Sequence, residues 1–197
     1  MTTAARYQFD FSGGALCLDF VNTLGDRPRC TEEHLHDWRD LLAWGEQAGL
    51  VARQDGRADH DSQRVFDRAL ELREHIYGVF APLAGGTSPA RRHLAAVNAA
   101  IGNALAHVRV EKRGAGFVWG WADGVPPLDR VLWSVVRSTA DLLVSPERTS
   151  VRECASGNCS WLFIDRSPAH RRRWCSMKTC GNRAKVRRFY ERRQALS

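Results

Sequence analysis

Four cysteines near the C-terminus have the spacing to hold a metal ion. Cys154 and Cys159 are separated by four residues, as are Cys175 and Cys180, and fifteen residues lie between the pairs. A tetrahedral site needs this layout. Each short loop brings two sulfurs to one side of the tetrahedron, and the intervening segment folds back to supply the other two. Soft thiolates select Zn²⁺ over hard cations. Four Cys ligands leave no open coordination position, so the ion is expected to be structural rather than hydrolytic. Gly157 in the first loop and Gly181 after the last ligand allow tight turns. The same thiols could instead hold an iron–sulfur cluster, stay free, or act as a redox switch that ejects zinc. The two symmetric pairs favour zinc. In so small a module, metal affinity becomes folding free energy, roughly 10–16 kcal/mol in zinc-finger peptides. Chelation is therefore expected to unfold residues 151–197 and leave the preceding part folded.

Cations crowd around the second pair. Arg171, Arg172 and Arg173 precede it, and Lys178, Arg183, Lys185, Arg187, Arg188, Arg192 and Arg193 follow within it or beyond. Residues 151–197 hold 12 Lys/Arg against 3 Asp/Glu, whereas the whole chain has a net charge of +7. The excess therefore sits in the last quarter, which marks a module with an anionic partner. A coding bias toward arginine explains the abundance of Arg but not its clustering. Arg offers bidentate donors to phosphate and guanine, so these ten residues are expected to contact nucleic acid. Duplex DNA is favoured over RNA, because Trp161, Trp174, Phe189 and Tyr190 read as structural. The alternative is a solvated basic face or a patch for RNA or an acidic protein. Arg183→Ala and Arg187→Ala are both expected to weaken DNA binding without loss of zinc.

The rest of the chain offers little catalytic chemistry. No G-x-S-x-G, P-loop, H-E-x-x-H or G-x-G-x-x-G pattern occurs, and no enzyme is expected. Cys17 lies on an apolar face and reads as a small buried hydrophobe; Cys30 lies in a loop. His34 and His36 point apart if they lie on a helix, so they are not expected to share a metal. The composition, 44% hydrophobic and 26% charged, is that of a globular protein with its own core. No run is long enough to span a bilayer. The first residues, "MTTAARYQFDFSGG", lack the apolar region of a signal peptide. The expected location is the cytoplasm, where thiols stay reduced.

Helical periodicity dominates the elements that must position these groups. Tyr7, Phe9 and Phe11 alternate as a short strand would. A short helix follows with Cys17, Phe20, Val21 and Leu24 inward. Thr31 is expected to cap a helix bearing Leu35, Trp38, Leu41 and Leu42, with Gly49 as its stop. Residues 52–61 read as a polar loop. From about Asp61 to Ala84 a long amphipathic helix is expected, with Arg73 at the edge of its stripe. Ser88 and Pro89 open another helix, which runs to about Ala106. A hairpin turns around Gly114 and Gly116. Pro126-Pro127 starts a helix with Leu128, Val131, Leu132, Val135, Val136 and Leu143 inward. In the last quarter "WLFID" is expected to pair with "RRRWC" as a hairpin. A C-terminal helix from about Thr179 then packs Ala184, Val186, Phe189 and Tyr190 against it.

The sequence "CGNR" at Cys180–Arg183, preceded by Cys154, Cys159, "WLFID" and "RRRWCSM", closely resembles the CGNR zinc finger family. "GGALCLDFVNTLGDR" near the N-terminus looks like the start of the ABATE domain that usually precedes this finger. The resemblance implies zinc on Cys154, Cys159, Cys175 and Cys180 and no catalytic residues. It also implies a bacterial, stress-induced transcription regulator. Asp19, Asn22 and Thr23 fall in the family's N-terminal motif. They are expected either to bond the domain's own backbone or to touch a ligand. The expected fold is mainly α with small β elements: a helical N-terminal domain over residues 1–148, then a treble-clef-like four-cysteine zinc finger over 149–197. DNA is the expected partner of the finger. The first domain serves as a small-molecule sensor or an assembly domain on this reading, and no residue names the ligand or the oligomeric state.

Overall fold

The computed structural model describes residues 7–27, 29–52 and 61–194. It is mainly helical, with three small antiparallel sheets. Helix α1 (Leu16–Val21) is followed by a two-strand pairing of β1 (Leu24–Gly25) with β2 (Glu32–Glu33). Then come α2 (Trp38–Gln47), α3 (Ser62–Ala84) and α4 (Arg91–Leu105). A hairpin of β3 (Val108–Arg113) and β4 (Gly116–Trp121) leads to α5 (Pro127–Val144). A 3-10 turn, Pro146–Ser150, precedes β5 (Val151–Glu153) and β6 (Leu162–Ile164). A π-type turn, Met177–Gly181, opens into α6 (Asn182–Gln194).

Helix α5 holds the helical body together, packing against α1, α2, α3 and α4. Its buried residues Leu128, Val131, Leu132, Val135, Val136, Thr139 and Leu142 recur at helical spacing. Leu142 takes the last buried position, and Leu143 is half-buried. Trp44, Phe20, Phe80 and Ile76 fill the interior. At Gly45 a Cβ would stand 2.3 Å from Val131 Cγ2, so this glycine sets how closely α2 approaches α5.

Several elements differ from expectation. Residues 7–12 form no strand, because Gln47 takes their backbone groups: Phe9 N–H donates to Gln47 Oε1 (3.0 Å), and Gln47 Nε2 donates to the Tyr7 carbonyl (2.8 Å). Thr31 caps no helix; its hydroxyl donates to Asp26 Oδ2 at 3.0 Å. Helix α2 starts at Trp38, capped by Asp37, which accepts the N–H groups of Arg39 and Asp40. Arg73 is buried rather than at a stripe edge, held bidentate by Glu33 at 2.6 and 2.7 Å. Helix α4 begins at Arg91, after Ser88 and Pro89, without a side-chain cap. The polar loop expected over 52–61 lies mostly outside the described residues.

The C-terminal pairing also changes partner. Strand β6 pairs with β5, in the register Val151↔Ile164 to Glu153↔Leu162, so the first cysteine pair lies in the loop between them. "RRRWC" forms no strand: the Arg172 N–H goes to Asp165 Oδ2 (2.9 Å), and the Arg173 carbonyl accepts from Ala155 N–H (2.8 Å). Helix α6 does not fold back either. None of its residues is buried, and Val186, Phe189 and Tyr190 are 55%, 57% and 59% exposed.

Strand β6 joins two cores. Leu162 and Ile164 belong to the apolar cluster of the helical body, as does Val151, while Phe163 packs with Cys154, Cys175 and Cys180. The two-residue repeat of a strand sends successive side chains to opposite faces, which puts one cluster on each side.

Candidate metal centre and nucleic-acid interface

Two turns and a strand bring the four cysteines together. Cys154 follows β5, and its N–H donates to the Trp161 carbonyl at 2.9 Å. Cys159 N–H closes the first loop on the Ser156 carbonyl (3.0 Å). The π-type turn carries Cys180 at the mouth of α6, with Gly181 N–H on the Ser176 carbonyl (3.0 Å). The four sulfurs lie within 4.8 Å of one another. Cys159 and Cys175 are separated by 3.8 Å, and Cys175 and Cys180 by 3.6 Å. A tetrahedral zinc with Zn–S bonds of about 2.3 Å places its sulfurs about 3.8 Å apart. The donor set and the geometry therefore fit one structural Zn²⁺, and sulfur lone pairs supply all four bonds.

The electrostatics agree. Hydrogen bonds from Cys159 and then Cys175 hold Cys154 down to about 2, and making those bonds pushes Cys159 and Cys175 up. A dication removes this conflict, since each ligand can then ionise. One further cation is already in place: Arg183 donates to Cys180 Sγ at 3.0 Å, and that bond raises the guanidinium further above its ordinary range.

The ten expected nucleic-acid residues differ in their surroundings. Arg183 and Arg172 are built into the finger. Arg172 lies 4.4 Å over the Phe163 ring and donates to the carbonyls of Trp174 (2.9 Å) and Cys175. Arg173 and Arg188 approach the Trp174 ring, at 5.3 and 5.9 Å, and Arg193 approaches Phe189 at 5.8 Å. Arg171 is exposed next to the Ser167 turn. Lys178, Lys185, Arg187 and Arg192 are exposed and make no ion pair among the described residues.

A second group of residues sets the finger against the helical body. Asn22 Nδ2 donates to the Leu162 carbonyl (2.9 Å), and Leu162 N–H donates to Asn22 Oδ1 (2.8 Å). Asp19 accepts the Gly13 N–H at 2.7 Å, and Gly13 in turn accepts Ile164 N–H at 2.8 Å. Burial pushes the Asp19 carboxyl up to about 7, against the opposing hydrogen bond from Gly13. Thr23 donates to the Phe20 carbonyl and accepts from Arg73. Arg27 N–H donates to Ser160 Oγ, while its guanidinium bonds Glu74 and the Leu24 and Val21 carbonyls. Arg166 pairs with Glu147 at 2.7 Å and reaches the Gly14 carbonyl. Asp19 and Thr23 thus satisfy local backbone, as one expectation had it, whereas Asn22 bonds a strand 140 positions away. Nothing in sequence order marks that partner.

Two family models match successive parts of the chain. A family described as "Putative stress-induced transcription regulator" (ABATE) matches residues 14–146, and the CGNR zinc finger matches residues 150–193. No curated protein matches the chain. No helix among the described residues is long and apolar enough to cross a membrane. With two thirds of its length in the first match and the four-cysteine site in the second, the chain belongs to the ABATE family and ends in a CGNR zinc finger.

Proposed function

We propose that this protein is a DNA-binding transcription regulator of the bacterial cytoplasm, without enzymatic activity, whose zinc finger presents α6 to the phosphate backbone. The observation that carries this reading is the display of Lys178, Lys185, Arg187 and Arg192, without carboxylate partners among the described residues, on and beside a helix with no buried residue. A solvated tail would need no four-ligand anchor at its start. Zinc and the Arg183–Cys180 bond fix where α6 begins. The shared strand β6 ties that anchor to the helical body.

The helical body is the place for an effector. A cavity of about 470 Å³ lies between the β3–β4 hairpin and α5, bordered by Trp119, Trp121, Arg137 and Asp141. That is the size of small-molecule pockets. Its rim includes Glu147, which holds Arg166 of the finger, so occupancy there has a short path to the DNA-binding module.

Fluorescence anisotropy of the zinc-loaded chain on labelled DNA over a salt series tests the reading. Affinity should fall steeply as salt rises, with a log–log slope of about −0.7 to −0.9 per neutralised phosphate. Selection from random duplexes then shows whether any motif is enriched. Absence of measurable binding at low salt overturns the proposal.

A further inference from the structure

One side of α6 carries an apolar patch, crossed one turn further on by Arg193 at 5.8 Å over the Phe189 ring, and is cationic at both edges. Val186, Phe189 and Tyr190, all more than half exposed, fall within an arc of about 100° on a helix of 3.6 residues per turn. Lys185 and Arg192 border one edge, and Arg183 and Arg187 the other. Arg188 points back toward Trp174, and Glu191, the only acid of α6, lies on the same rear side.

Exposed aromatic surface of this size calls for a partner, and the charge says which kind. Six cations against one acid oppose pairing with a second copy and attract a polyanion. The occupant must also offer flat apolar faces. Duplex DNA hides its base faces inside the stack and shows only edges and phosphates. An unpaired strand shows both, a phosphate and a π-face for every nucleotide. The rings of Phe189 and Tyr190 lie edge-to-face, 5.7 Å apart at 75°, so each offers its own stacking face.

We propose that this face of α6 binds single-stranded DNA, stacking bases on Phe189 and Tyr190 while Lys185, Arg187 and Arg192 hold the phosphates. The inference rests on the DNA-binding reading above and narrows it to unpaired strand. It also removes the reason for reading these aromatics as structural.

The test compares a labelled single strand of about 12 nucleotides with the matched duplex at equal salt, using the full zinc-loaded chain. Phe189→Ala/Tyr190→Ala should weaken single-strand binding by at least about tenfold and change duplex binding little, with zinc content unchanged. Phe189→Leu/Tyr190→Leu keeps apolar area but no ring, and should behave like the alanine variant. Wild-type affinity in the leucine variant, or equal losses on strand and duplex, overturns the stacking proposal while DNA binding stands. If neither strand nor duplex binds, the DNA reading itself fails. Capture of anionic lipid vesicles or an acidic protein through these two residues, with no strand binding, assigns the face elsewhere and overturns it too.

Discussion

Asn22 pairs with the backbone of Leu162 as a neighbouring strand would, giving one hydrogen bond of 2.9 Å and receiving one of 2.8 Å. All three groups are buried among apolar side chains, so neither bond can be replaced by water. The pairing fixes β6 against the end of α1. From there Leu162 and Ile164 enter the helical core, while Phe163 closes the cysteine cluster. This side chain thus ties the two matched segments together, beside the Gly13–Ile164 and Arg27–Ser160 bonds.

Asn22→Ala should be strongly destabilising. It leaves the Leu162 N–H and carbonyl without their partner, at about 1–3 kcal/mol for each buried group. A total loss of about 2–6 kcal/mol is expected by urea denaturation. A loss under about 1 kcal/mol would show that water or a local shift satisfies both groups.

Removal of zinc should be felt beyond the finger. Sequence reasoning expects chelation to unfold only residues 151–197. In the structure Val151, Leu162 and Ile164 belong to the core of the helical body. Loosening β6 therefore exposes apolar surface on α1 and α3, which contact it. Chelation is expected to lower the melting temperature of the helical body as well as melt the region from Cys154 onward. Hydrogen exchange at amides of α1 and α3 reports this directly. Unchanged protection there, with the finger melted, would mean that the helical body stands alone.

Asp19 predicts a pH dependence of opposite sign to that of most paired carboxylates. Burial raises its folded pKa to about 7, against an ordinary value of 3.8. Between those limits the folded state holds a proton that the unfolded chain has lost. Stability contributed by this group is therefore present below the ordinary value and is lost as pH rises toward 7. Asp19→Asn keeps an oxygen for the Gly13 N–H and removes the proton. The variant should show a flatter stability profile over this window, measured by denaturation at several pH values. Superimposable profiles would remove Asp19 from the account.

Much of this could be read from residue order, where the physics is local. The cysteine spacing gave the metal set, and the apolar repeat of Leu128, Val131, Leu132, Val135 and Val136 gave α5, because short spacings and helical periods are near-neighbour properties. The missed features depend on side-chain partners that spacing does not mark, five positions away for Thr31 and forty for Arg73. Thr31 looks like a cap until Asp26 takes its hydroxyl, and Arg73 looks like a stripe edge until Glu33 reaches it. The segment "WLFID" is readable as a strand, but not whether it pairs forward or back. The apolar residues of α6 were expected to pack because apolar residues usually do; their exposure reflects a helix that leaves the finger rather than folding onto it.

Arg183 and Arg187 separate metal support from nucleic-acid binding, although both are one-for-one cations of the same helix. Sequence reasoning treats them alike. In the structure Arg183 donates to Cys180 Sγ at 3.0 Å, placing a cation on a ligand sulfur, whereas Arg187 makes no ion pair among the described residues. Partners of this kind typically contribute about 10- to 100-fold to metal affinity. Arg183→Ala is therefore expected to lose zinc to a competing chelator at least about tenfold more readily. Arg183→Lys should recover only part of that loss, since an ammonium lacks the planar fork. Arg187→Ala should keep wild-type zinc retention, weaken DNA binding, and flatten the log–log salt slope by about one neutralised phosphate. Cys180→Ser should lose both properties, because it removes the ligand that starts the helix. If Arg183→Ala holds zinc as tightly as the wild type and loses only DNA affinity, the bond to Cys180 contributes nothing to the site and Arg183 belongs with the phosphate contacts.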